Sequence, residues 1–222
     1  MRLGDVDALQ TGATLAVVVF SVILHEIAHG AVALLCGDDT AKRAGRLTLN
    51  PLNHIDAFGS LVLPLLLYLT RAPFMFGWAK PVPVDFTRLK RIKRDMALVA
   101  LAGPATNVFL AVSFTLGLRF CEAWNVQNDL FLQTLLFGII FNLSLGVFNM
   151  LPVLPMDGGR VLTGILPIKA AVAFAKTERY GMPAMIFLLF ILPALDEKWD
   201  IAGQWLSFGV RCGARLLTKL LL

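Results

Sequence analysis

The chain has 222 residues, of which 57% are apolar and only 16% charged. Soluble domains carry about a quarter charged residues, so this balance excludes an ordinary water-soluble fold and points to a chain spending most of its length in lipid. Twenty Lys and Arg against fifteen Asp and Glu leave a net charge of +5; in a membrane protein that excess belongs to cytoplasmic loops, and no nucleic-acid partner is expected.

The first predicted helix covers residues 13–36, close to the ~20 apolar residues a bilayer requires. No basic stretch precedes it and polar groups lie within it, so it reads as a working helix rather than a cleaved signal peptide. Inside it stands Ser21-Val-Ile-Leu-His25-Glu26-Ile-Ala-His29-Gly30. Positions i and i+4 of a helix share a face, so His25 and His29 present two imidazoles together. That is the geometry two zinc ligands need, with Glu26 in reach of a metal-activated water as general base. Two unpaired histidines and a glutamate in such an apolar segment would cost several kcal/mol, which disfavours a merely structural polar core. Cys36, Cys121 and Cys212 are far apart and form no Cys-x-x-Cys, so neither a disulfide framework nor a thiolate metal site is indicated.

Gly37-Asp38-Asp39 ends helix one, and Gly45-Arg-Leu-Thr-Leu-Asn-Pro51 has the alternation of a short strand stopped by proline. Residues 58–69 are apolar but interrupted by Pro64, which suits a re-entrant hairpin or a short span equally. The stretch from Phe74 to Val84 holds Pro81 and Pro83 and is predicted to be extended. Residues 88–94 form a basic collar beside anionic headgroups. A helix with Gly103-Pro104 inside it follows over about 95–120, then another over 130–150 that breaks at Pro152 and Pro155. Two C-terminal helices are expected over about 180–195 and 201–217. Together these predict an all-α polytopic membrane protein of five to six transmembrane helices, with a short β or re-entrant segment between helix one and the Gly-Pro helix. Residues 1–222 read as one domain, its catalytic core about 13–166 and its C-terminal helices about 180–217. The Lys and Arg clusters at 42–46, 80–94, 160–179 and 211–219 share the cytoplasmic side in this reading. The turns 122–129 and 196–200 fall on the other side, and the histidines lie in the cytoplasmic half.

A catalytic zinc needs a third protein ligand. The candidates are His54 and the carboxylates Asp38, Asp39, Asp56, Asp85 and Asp157. Asp157 follows a proline-broken helix end at the depth of the histidines, where irregular backbone is tolerated only beside a cavity or buried in protein. Its alternative role is to cap a helix beginning at Gly158-Gly159.

The motifs His25-Glu26-Ile-Ala-His29, Gly103-Pro104-Ala-Thr-Asn107 and Asn149-Met-Leu-Pro152-Val-Leu-Pro155-Met-Asp157-Gly158 resemble those of the site-2 proteases, intramembrane zinc metalloproteases. The stretches 45–56 and 76–84 resemble the compact bacterial branch, so the likeness covers roughly residues 15–165. Leu154 and Met156 stand where the family's third motif has proline and leucine. The resemblance implies one zinc per chain held by His25, His29 and Asp157, with Glu26 catalytic. It further implies a transmembrane protein substrate in the lipid bilayer and a multi-pass protein of the cell membrane acting in regulated intramembrane proteolysis. Asn107, Asn149 and His54 are polar groups among apolar neighbours, suited to orienting substrate or an oxyanion, or simply to helix contacts and turn capping. Two other classes compete. A membrane protease taking a late glutamate as third ligand is disfavoured, because Glu122, Glu178 and Glu197 lie in polar stretches. A non-proteolytic metal transporter or binding protein would need further intramembrane acids and histidines.

Overall fold

The computed structural model describes residues 8–71 and 77–221, and among them every regular element is helical. Helix α1, Ala8–Leu35, runs 28 residues and ends at Gly37, whose φ of +111° turns the chain. A short α2, Thr40–Arg43, follows. The strand expected over residues 45–50 is not formed. Local bonds take its backbone instead: the Thr48 carbonyl accepts from His54 Nε2 at 2.9 Å, and the Asn50 side chain accepts from the Leu52 amide at 3.1 Å. Asn50 thereby caps a 3₁₀ turn, Pro51–His54, and such side-chain bonds compete with ladder pairing.

The apolar segment after it begins as a π-turn, Ala57–Val62, capped by Asp56, and passes into α3, Leu63–Leu69. Pro64 has no N–H to donate four residues back, and the Leu63 amide reaches five residues back to Phe58. Residues 77–85 form an extended strap, as the two prolines require; the part of the predicted stretch at 74–76 lies outside the described residues. Then come α4, Ile92–Ala123, and α5, Asp129–Asn149, capped by Asn128. Past an irregular loop lie α6, Asp157–Ile165, α7, Ile168–Ala175, α8, Gly181–Ile186, α9, Leu192–Leu195, and α10, Ile201–Leu221.

Four helical stretches among the described residues are long and apolar enough to cross a membrane: Ala8–Leu35, Ile92–Ala123, Asp129–Asn149 and the broken run Ile168–Leu195. An expected count of five to six would add the short Ala57–Leu69 and α10. The latter is amphipathic, with Arg211, Arg215 and Lys219 exposed.

Helix α4 is the centre, touching α1, α5 and α6. Lipid tails are as apolar as leucine, so these helices associate by close packing over small residues. Gly138 of α5 lies against the Phe114 ring, and Gly146 against Asn107 and Pro104. Gly164 seats α6 on Lys93 and Ala97 at the start of α4, where Lys93 Nζ donates to the Leu166 carbonyl. Phe109, Leu116, Phe120, Leu136 and Ile140 point outwards, a surface costly in water and neutral in hydrocarbon.

One expectation about topology is corrected. Trp205 Nε1–H donates to the Val147 carbonyl at 2.9 Å, and Gly209 and Gly213 pack on Val147 and Leu143. Helix α10 therefore starts at the end of α5 that leads to Asp157 and runs back along it. The 196–200 turn lies at that end, not beside 122–129 at the other. The charge pattern misplaced it because the run 168–195 is broken at Lys176–Tyr180, and Gly181 packs on Leu154 and Pro155 of the loop.

Candidate metal centre

His25 and His29, one turn apart on α1, meet edge to face with ring centroids 4.7 Å apart. His25 Nδ1 is 2.6 Å from Asn107 Oδ1, and His29 Nδ1 is 2.7 Å from the Val99 carbonyl. Both partners are oxygen acceptors, given that Asn107 spends its NH₂ on Asn142 Oδ1 at 3.0 Å. Each Nδ1 therefore donates its proton, and each Nε2 is left with a lone pair. The two Nε2 atoms stand 3.0 Å apart. Asp157 Oδ2 lies 3.2 Å from one and 3.3 Å from the other.

With both Nε2 atoms unprotonated, no hydrogen lies between these three, and Asp157 Oδ2 is buried without a hydrogen-bond donor. Three lone-pair atoms forced together would repel one another, but a tetrahedral zinc with bonds of ~2.0–2.1 Å holds its ligand atoms about 3.3 Å apart. The donor set and its spacing fit zinc. His25, His29 and Asp157 are the one His/Cys/Asp/Glu group among the described residues that gathers in this way.

The surrounding backbone is built to let the three meet. Asp157 is the first residue of α6; the cap position is Met156 and no side chain caps it, so Asp157 is not spent as a cap. Any Cβ at Gly158 would strike the Met150 and Leu151 carbonyls, and one at Gly159 would strike Val153 and Leu154. Only glycine lets α6 fold this closely against its loop. A Cβ at Gly103 of α4 would overlap both imidazoles. Asn107 sits one turn further along α4, and Asn142 of α5 passes the chain of hydrogen bonds on to Ser21 Oγ at 3.0 Å. Asn142 and Ser21 were not singled out from the sequence. Their signal in the sequence is a polar side chain set in an apolar run; the structure shows both fully or almost fully buried.

The other carboxylates considered as ligands are engaged elsewhere. Asp39 pairs with Arg43 and Arg88, Asp56 caps the π-turn, and Asp85 accepts from Thr87. Asp38 is wholly buried and accepts from the Thr40 amide and hydroxyl and, at 2.7 Å, from the Asp85 amide. Burial alone would raise its pKa, but these bonds and the Arg88 charge hold it below the usual carboxylate value.

Glu26 Oε2 accepts the Val82 amide of the strap at 2.8 Å. Asn149 donates back to the Leu145 carbonyl within its own helix. His54 stands apart from the three, in the wall of a cavity of about 750 Å³ shared with Leu15, Val19, Val22, Trp78, Phe141 and Leu145. Its Nδ1 is buried without a hydrogen-bond partner. Steps of three and four residues along the α1 wall lead from Leu15 through Val19 and Val22 to Glu26; on α5, one more turn beyond Leu145 is Asn149.

Two histidines and a carboxylate thus converge inside a bundle of membrane-length helices, the arrangement of a metal centre in a membrane protein. The chain belongs to peptidase family M50, the site-2 proteases, whose family model matches residues 123–192. It is 36% identical over 184 residues to the zinc metalloprotease named YwhC of Bacillus subtilis, covering 79% of this chain and 78% of that one. It is 32% identical over 185 residues to the zinc metalloprotease named Rip2 of Mycolicibacterium smegmatis, covering 83% of this chain and 69% of that one. No solved structure matches. The protein is accordingly a membrane zinc metallopeptidase.

Proposed function

We propose that the chain is a multi-pass endopeptidase of the cell membrane that cleaves peptide bonds within or near transmembrane segments of other membrane proteins, in regulated intramembrane proteolysis. In this reading residues 1–222 act as one domain with its catalytic core in about 13–166. His25, His29 and Asp157 hold one zinc, which when bound supplies a Lewis acid for the scissile carbonyl and activates water. Asn107 and the Val99 carbonyl fix the tautomers, keeping both Nε2 lone pairs on the metal side. Glu26 takes the proton of the attacking water and returns it to the leaving amine.

The observation that carries the reading is the meeting of three buried lone-pair atoms 3.0–3.3 Å apart with both Nδ1 protons already spent. The apolar cavity between α1 and α5 suits a substrate segment, its helical steps ending at Glu26 and Asn149. A helix must open before its peptide bonds can react, because its carbonyls are occupied. His54 and Asn149 are the polar groups placed to hold the opened chain. The test is Glu26→Gln, which removes the base and no ligand. Purified in lipid with a single-span substrate, the variant is expected to keep its zinc and lose cleavage by at least about 100-fold. Cleavage near the wild-type rate rejects the mechanism.

A further inference from the structure

The segment Ala79-Lys80-Pro81-Val82-Pro83-Val84 has no role in the site so far beyond one contact. In extended chain, backbone groups of alternate residues point to the same edge, and here one edge is pinned almost throughout. The Trp78 amide donates to the Gly59 carbonyl at 3.1 Å and the Lys80 amide to the His54 carbonyl at 2.9 Å. The Trp78 carbonyl accepts from Ser60 Oγ at 2.8 Å, and the Lys80 carbonyl from Arg46 Nη2 at 2.7 Å. Three residues past Val82, the Asp85 amide is held by buried Asp38 at 2.7 Å. The next amide on the pinned edge after Lys80 is that of Val82, and it goes to Glu26 Oε2 at 2.8 Å.

The prolines make this contact singular. Pro81 and Pro83 have no N–H, so Val82 carries the one amide proton in 81–83. The Val82 side chain is buried and rests over Gly30, where a Cβ would stand 2.8 Å from Val82 Cγ1 and 2.7 Å from Leu47 Cδ2. Gly30 thus lets the strap lie directly on α1, one helical turn beyond Glu26. A side chain with three rotatable bonds is otherwise free to leave the metal. Here one of its oxygens is held by a main-chain donor fixed on both sides, by Arg46 and by Asp38.

We propose that the strap is the positioning element for the catalytic glutamate: the Val82 N–H fixes Oε2 of Glu26 and so aims Oε1 at the reacting water. Val82 acts through Glu26 and is a positioning residue, not a catalytic one. The inference rests on the reading of Glu26 as base. It accounts for a Pro-x-Pro whose middle residue faces the site, since both neighbours are stripped of donors and cannot divert the strap into a ladder.

The test is Val82→Pro, which deletes that single proton from a backbone already extended between prolines. Val82→Ala keeps the amide and trims the side chain. Cleavage of a single-span substrate is measured as kcat and KM separately, with zinc content determined on the same samples. Val82→Pro is expected to lower kcat about 100-fold, the scale of a misplaced group, with KM and zinc unchanged; Val82→Ala is expected to stay within a few-fold of wild type. Wild-type kcat in Val82→Pro overturns the proposal, as does an equal loss in Val82→Ala, which would assign the effect to packing. Should Val82→Pro lose zinc, Arg46→Ala decides: it releases the strap at Lys80 without touching Val82. A fall of at least tenfold in kcat with zinc retained supports the proposal, and an unchanged kcat overturns it. Glu26→Gln in parallel separates the two claims, since an active Glu26→Gln rejects the base itself, whereas an inactive one beside a fully active Val82→Pro rejects the strap alone.

Discussion

Asn107 Oδ1 lies 2.6 Å from His25 Nδ1, and together with the Val99 carbonyl on His29 that contact ties the Gly-Pro helix to the histidine face of α1. It settles which ring nitrogen carries the proton, and so where the other nitrogen's lone pair goes. Groups in this position usually govern metal affinity by 10–100-fold. Asn107→Leu is therefore expected to weaken zinc binding within about that range and to leave His25 Nδ1 and Asn142 Oδ1 without these partners. Competition with a chelator on the purified protein measures it; an unchanged zinc affinity would show that Asn107 holds helices together and nothing more.

Gly103 offers a harsher perturbation. A methyl group there overlaps both imidazoles, and neither ring can retreat, each being tied at Nδ1. Gly103→Ala should lose zinc and cleavage together while the helical signal in circular dichroism persists. Full zinc occupancy in that variant would contradict the closeness of α4 to the site.

Asp38 links the end of α1 to the strap through Asp85, and its pKa is lowered in the folded protein. A carboxylate with a depressed pKa stabilises the fold fully above its ordinary range, and that stabilisation is lost as pH falls through the depressed value. Acid unfolding of the wild type should therefore include a component absent from Asp38→Asn. The variant should be about 1–3 kcal/mol less stable at neutral pH, as for a buried acceptor lost from its donors, with the difference closing in acid. Thermal melts across pH test this. An equal deficit at pH 7 and in strong acid would contradict it.

Much of this architecture was legible in the residues. The apolar runs located α1, α4 and α5, and the i, i+4 histidines fixed their own shared face. Periodicity had less to say where backbone chemistry decides. The stretch 45–50 alternates like a strand, yet Thr48 and Asn50 divert it into capping. The turn 196–200 was misplaced by counting cations along a run that breaks at Lys176–Tyr180. Asp157 could be singled out only with the help of a family likeness, because a carboxylate brought to His29 from 128 residues further along the chain is placed by packing: Gly158, Gly159 and Gly164 let α6 sit where it does. Asn142 and the Val82 amide belong to the same class. A backbone donor leaves no mark in side-chain identity, except that two prolines isolate it.

The central claim is that the third ligand is Asp157 and not His54, the other histidine near the cavity. Metal analysis of purified wild type, Asp157→Ala and His54→Ala in the same lipid tests it most directly. The account predicts one zinc per chain in wild type and in His54→Ala, with turnover impaired in the latter, and no retained zinc in Asp157→Ala. A zinc-free His54→Ala beside a zinc-loaded Asp157→Ala would contradict it.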